Sequence, residues 1–196
     1  MSAATPVTAN SIRERLRTDK ARLREVLAAD GAQPGCLWLL PSWQAVWLSR
    51  WSHFHFANGR RLLARALWHF NLLLTGADIS PMADFGPGLV IRCPLCVVML
   101  GKSGANLTVH GHGGMGGGIS AKDIGAGPGL PVLGDNVCLH FSAFVLGPVH
   151  IGSGAAIGPR CVVTRDVPEG SVLETAEPRL VRLAGTVGEA VDDEGA

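Results

Sequence analysis

The sequence predicts an α+β chain in which an α-helical N-terminal unit precedes a solenoid of very short strands. Two observations carry that prediction. Every sixth residue from Ile79 falls on Ile79, Phe85, Ile91, Val97, Ser103, Val109 and Met115, and the beat resumes as Leu133, Leu139, Val145, Ile151, Ile157 and Val163. All but Ser103 are apolar, and Gly, Asp, Ser, Ala and Pro fill the intervals. A helix repeats near 3.6 residues and a strand near 2, so a sustained period of six reads as short strands and turns winding into coils. The chain before the beat carries helical stripes instead, which gives expected units 1–75 (helical), 76–175 (solenoid) and 176–196 (tail).

In chain order, Met1–Ala9 reads as a polar leader. A helix is expected from Ser11, with Ile12, Leu16, Leu23 and Leu27 on one stripe, ended by Asp30-Gly31 and Pro34-Gly35. A second follows Pro41 with Ser42 as its N-cap, and Trp43, Trp47 and Trp51, four apart, share one face. A third runs over Arg60–Leu74, between Asn58-Gly59 and Thr75-Gly76. The apolar runs Cys36–Leu48 and Leu62–Leu74 are too short to span a bilayer and read as helices buried against a neighbour. Three hexads make one triangular coil, so residues 18 apart stack. The expected lower stacks are Ile79–Val97–Met115, Phe85–Ser103 and Ile91–Val109; the upper ones are Leu133–Ile151, Leu139–Ile157 and Val145–Val163. Gly116–Gly129, with six glycines, breaks the beat and reads as a loop thrown out from the prism.

Charged residues make up 17% of the chain and the formal net charge is +1, so no basic field points to nucleic acid. The Arg13–Arg24 cluster and Arg60-Arg61 read as solvated helix faces. Five cysteines without disulfide-scaffold spacing, and no leader of the secretory type, fit free thiols in a reducing cytoplasm.

Particular segments resemble a known family. Leu73-Thr-Gly-Ala-Asp-Ile-Ser-Pro81, Phe85-Gly-Pro-Gly-Leu-Val90 and Gly116-Gly117 are similar to the hexapeptide-repeat acyltransferases of the serine acetyltransferase type. So are Leu133-Gly-Asp-Asn-Val137, Val145-Leu-Gly-Pro-Val149, Ile151-Gly-Ser-Gly154 and Asp166-Val-Pro168, and the helical segment Pro41–Arg50 with His53 and Gly59-Arg-Arg61. The resemblance spans about residues 40 to 170. It implies a left-handed parallel β-helix, assembly as a homotrimer or dimer of trimers, and acetyl transfer from acetyl-CoA to a small acceptor's hydroxyl in a groove between neighbouring prisms. It also implies an Asp-His pair after the Gly-Pro-Gly turn, the His acting as base, and an Arg-His-Pro after the glycine loop.

At those two places this chain has Arg92-Cys93 and Gly129-Leu130-Pro131. Neither Arg nor Leu can act as a base. The candidates for the missing chemistry are His110, 18 residues after Arg92, and His112, 18 after Pro94, with Asp78 orienting one of them or binding an acceptor amine. The alternative is two solvated imidazoles on a Gly-rich turn. Cys93 is a candidate nucleophile if Arg92 and a nearby His lower its thiol pKa, and otherwise a packed thiol. Arg92, Gly116 and Gly117 are expected at the acceptor. His140, Ser142, Ala143, Gly158 and Arg165 are expected along the acyl-CoA path, narrowed by His140-Phe141 and closed by Ala176-Glu177-Pro178-Arg179. No metal is assigned: Cys93-x-x-Cys96 with His110, His112 and His140 lacks a supporting ligand pair, and His140 is expected too far along the prism. Cys36, Cys138 and Cys161 read as core or wall, and His53, His55 and His69 as packing or capping residues. The leading function is acyl-CoA-dependent O-acetyl transfer. A non-catalytic partner subunit of the same fold is the rival, and a different reaction such as ring closure of an acylated substrate is the third reading.

Overall fold

The computed structural model describes residues 8–32 and 35–176. The expected leader (up to residue 7) and the tail beyond 176 lie outside them. The helical unit comes first. Helix α1, Ala9–Ala29, starts two residues before Ser11 because Thr8 Oγ1 accepts the Ser11 N–H at 3.2 Å. Helix α2, Pro41–Ala57, carries Pro41 in its first turn, and Leu40, not Ser42, holds the cap position. Ser42 Oγ instead donates to the carbonyl of Arg92 at 2.9 Å. Helix α3, Arg61–Thr75, ends at Gly76, whose φ of 75° is the left-handed stop that a residue without Cβ adopts freely.

Apart from a short 3-10 turn at Leu37–Leu39 ahead of α2, the rest of the described chain is a left-handed parallel β-helix with three faces. Stacked on the first are Asp78–Ile79, Val98–Met99, Gly114–Gly116, Phe144–Leu146 and Val162–Val163. The second holds Asp84–Phe85, Lys102–Ser103, Val132–Leu133 and His150–Ile151. The third holds Val90–Ile91, Thr108–Val109, Cys138–Leu139, Ala156–Ile157 and Val172–Leu173. Five of the six expected stacks are present in register. The sixth is corrected: Ile79 pairs with Met99, and Met99 with Met115, so Met99 stands where Val97 was expected. The corner through Arg92-Cys93-Pro94-Leu95 holds two extra residues, and the next corner, at Leu100-Gly101, is shorter by two. The beat shortens again where Ile151 bridges Val167.

Inward side chains from all three faces form one core that runs the length of the prism, from Ile79 to Val167. Ser103 keeps its core position with its hydroxyl satisfied by the Gly104 carbonyl at 3.1 Å. The expected loop Gly116–Gly129 leaves the prism only after Gly116, which still pairs with Leu146, and it does so as a tied hairpin: Asp123 Oδ1 accepts from the N–H groups of Gly125 and Gly127, and Lys102 Nζ donates to the Gly125 carbonyl.

Helices α1 and α2 lie on the lower coils. Trp43 is buried with Ile12, Leu16, Leu23, Leu37 and Val90, and Trp47 and Trp51 pack against this cluster, so the face that the three tryptophans share is turned to the core. Beside it, Asp19 and Arg50 form a fully buried pair, and Asp19 Oδ1 also accepts from the N–H groups of Gly88 and Leu89 at 2.8 Å. The Arg13–Arg24 cluster is therefore not wholly a solvated face. Arg15 pairs with Asp84 at 2.7 Å, and Arg22 donates to the carbonyls of Gly88 and Leu107 and to Thr108 Oγ1. The run Leu62–Leu74 also departs from expectation: within the single chain only Ala64 and Asn71 of that stretch are buried, while Leu62 and Leu73 are 86% exposed. Among the described residues no helix is long and apolar enough to cross a membrane.

Candidate active site

The pleat of the third face decides which side chains meet. Ile91, Val109, Leu139 and Ile157 point into the core, so the residues after them point outward and stack as Arg92, His110, His140 and Gly158. Backbone bonds of 2.7 to 2.9 Å from each N–H of this row to the next coil hold it in place. The residues before the inward set form the neighbouring row, which includes Thr108, Cys138 and Ala156.

Next to the row runs the corner between the third and first faces. Each coil turns it with one left-handed residue: Gly76, Cys96, His112, Ser142 and Arg160, with φ between 56° and 75°. Bonds such as His112 N–H to the Leu95 carbonyl and Ser142 N–H to the Gly111 carbonyl stack the corners. Asn and His are among the few side chains that tolerate this conformation, which gives His112 a backbone reason to be there as well as a chemical one.

The sequence-predicted residues divide accordingly. His110 stands one coil above Arg92, as expected. Its ring stacks on His140 with centroids 5.0 Å apart and planes 19° from parallel, so His140 is not too far along the prism but directly above. Burial lowers the pKa of His110, and the charges of Arg92 and His140 lower it further. Cys138 is no mere wall residue, since its Sγ lies 3.7 Å from His140 Nε2; burial pushes this thiol's pKa up, against the pull of Arg22 and Arg92. Cys161 is buried as expected, whereas Cys36 is exposed.

His112 is exposed at the corner, its ring 5.1 Å from that of Phe141. Cys93 lies one coil below and is also exposed, close enough over Gly111 that a Cβ there would sit 3.2 Å from its Sγ. Arg92 turns its guanidinium to Asp30 at the end of α1, away from Cys93's service. Asp78 belongs to the lowest coil, two coils below His112 and thus about 10 Å away at strand spacing. Its carboxylate accepts from Trp68 Nε1 at 2.8 Å, so it orients neither imidazole. Leu130 is buried in the wall beside the glycine hairpin. Gly116 is buried in its strand and Gly117 exposed beyond it.

Above the histidines a cleft of about 440 Å³ opens on the third face. It is lined by His140, Ala156, Gly158, Pro159, Arg160, Val172, Glu174, Thr175 and Ala176. Of the residues expected along a donor path, His140 and Gly158 line it. Ser142 takes a corner, Ala143 is fully buried, and Arg165 follows the Val162–Val163 strand on the first face. Of the expected closing turn Ala176–Arg179, Ala176 lines the cleft and the rest lies outside the described residues. Reading by hexads did not single out Arg160, which lies in a regular coil, and it missed Glu174 and Thr175 because the last coil is two residues short and slides out of the beat.

No family model matches the chain. It is 35% identical over 156 residues to the serine acetyltransferase of Mycobacterium tuberculosis, which covers 77% of this chain and 66% of that protein. To the serine acetyltransferase of Staphylococcus aureus it is 30% identical over 186 residues, covering 91% of the chain and 84% of the relative. The chain spans between 62% and 66% of the length of the M. tuberculosis and Synechococcus elongatus relatives. Among solved structures, soybean serine acetyltransferase complexed with serine superposes with a TM-score of 0.76 at 30% identity, over 88% of this chain and 70% of that one. A serine acetyltransferase complexed with CoA matches at 23% identity with a TM-score of 0.72 and shares the fold.

Proposed function

Since the chain belongs to the serine acetyltransferase family, we propose that it transfers an acetyl group from acetyl-CoA to the hydroxyl of serine or a similarly small hydroxy acid. One observation carries the reading beyond kinship. At the edge of the third face, two imidazoles, His110 and His112, stand one coil above the Arg92–Cys93 turn at which the resemblance expects the base, and a cleft opens one coil higher, over His140. His112 is the base in this reading. It is exposed at the corner, its ring makes no hydrogen bond among the described residues, and an imidazole there can accept the acceptor's proton as the hydroxyl oxygen attacks the thioester carbonyl. The CoA thiolate leaves and is protonated. The donor lies in the cleft over Ala156 and Gly158, with His140 at its edge. Neighbouring prisms of a homotrimer close the groove.

A second reading has its own observation. Among the described residues no carboxylate hydrogen-bonds His110, His112 or His140, and Arg92 spends its charge on Asp30, which suits a partner subunit without turnover of its own. Serine-dependent release of free thiol from acetyl-CoA separates the two. The wild type should turn over, and His112→Asn, which keeps the left-handed φ of 59°, should lose at least about tenfold with the fold intact. Absence of thiol release from the wild type with any small hydroxy acid would leave the partner-subunit reading.

A further inference from the structure

The third face also places a thiol and two imidazoles around one point. Cys138 and His140 are two apart on one strand and so share its outer side, while His110 lies directly below His140 on the adjacent strand. Strands about 4.8 Å apart and same-side residues about 7 Å apart put the three side chains at the corners of one small triangle. Cys138 Sγ, one ring nitrogen of His110 and one of His140 all lie within 4.8 Å of one another, and Cys138 Sγ to His140 Nε2 is 3.7 Å.

A tetrahedral zinc ion with bonds of about 2.3 Å to sulfur and about 2.0 Å to nitrogen needs its S···N and N···N edges near 3.5 Å. The Cys138–His140 edge is already there, and side-chain rotation by about an ångström closes the others. The platform beneath does not have to move. Val109 and Leu139 are fully buried, and the N–H groups of His110, Cys138 and His140 bond to the next coil at 2.9 to 3.0 Å.

From this juxtaposition we propose that His110, Cys138 and His140 bind one zinc-class divalent ion, leaving its fourth position open towards the cleft above His140. One thiolate with two imidazoles selects zinc or cobalt over magnesium or calcium, which prefer oxygen ligands. Arg22 and Arg92 stand near the site, and each is already engaged, Arg22 by Thr108 Oγ1 and two carbonyls and Arg92 by Asp30. Their positive charge repels a dication, while favouring the thiolate that binds it. The site stands whether or not the chain transfers acetyl groups, because its evidence is the ligand geometry and its test is spectroscopic.

The test is titration of tag-free, reduced, metal-stripped full-length protein with cobalt(II) under anaerobic conditions, followed by displacement with zinc. The expected result is one ion per chain, with intense visible bands of a tetrahedral ion and a near-ultraviolet thiolate-to-cobalt band that zinc abolishes. Cys138→Ser should remove the thiolate band, and both it and His110→Asn should weaken binding at least about tenfold while the circular dichroism stays unchanged. If one variant fails to fold, the other is read. Failure of the wild type to bind at stoichiometric cobalt, a spectrum without the thiolate band, or unchanged binding by the folded variants would each overturn the proposal.

Discussion

Among single residues, Asp19 carries the most weight that the sequence hides. It sits in a helix stretch crowded with Arg and Lys, yet it is fully buried and binds Arg50 and two prism N–H groups at once. Taking Asp19 away strands a buried guanidinium and two backbone donors. Asp19→Ala should therefore cost about 3 to 5 kcal/mol in urea unfolding, whereas Arg17→Ala on the exposed side should cost under about 0.5 kcal/mol. These two charged residues, two apart on one helix, look alike in the sequence, because burial of a charge is decided by what packs over it. Asp78 teaches the same lesson from the site. Its place in Gly-Ala-Asp-Ile-Ser-Pro is plain in the sequence, but only the fold shows that Trp68 holds its carboxylate and that two coils separate it from His112.

Between elements, the junction of α1, α2 and the prism gives a pH signature. Burial alone would raise the carboxyl pKa of Asp84, but the hydrogen bond and charge of Arg15, with His53 and Arg50, bring it below the ordinary value. Its contribution to stability is present above the ordinary carboxylate range and is lost as the pH falls through the lowered value. His53 is lowered chiefly by burial. The unfolded chain takes that proton first, so stability also falls as the pH drops below about 6.5. Thermal unfolding should therefore weaken in two stages on acidification. Asp84→Asn should diminish the lower stage and His53→Gln the upper one, to which His55 and His110, also lowered by burial, contribute; a melting profile unchanged by either would contradict this assignment. The register of the prism was legible wherever the hexad held, since each apolar sixth residue had one inward place to go. It was not legible at Val97 and Met99. Both are apolar and both are buried, so nothing in the pattern shows that the proline-containing corner before them takes two extra residues.

For the molecule as a whole, the repeat made the architecture readable and the helices' docking did not follow from it. The candidate site was readable in part: His110 over Arg92 follows from the spacing of 18, but His140 over His110 lies across the glycine hairpin, which adds twelve residues to that coil. A face of α3 with Leu62, Phe70 and Leu73 exposed, and a cleft open on one side, suit a molecule completed by copies of itself. Light scattering should return about three times the 20.5 kDa chain mass, or six; a monomer would contradict the closed groove.

Acetyl transfer requires that the donor bind first, so calorimetric titration of the protein with acetyl-CoA is the most direct test. Binding in the micromolar range is expected, weakened at least about tenfold by Ala156→Trp, which fills the floor of the cleft. A flat titration with millimolar acetyl-CoA, or equal binding by Ala156→Trp, would contradict it.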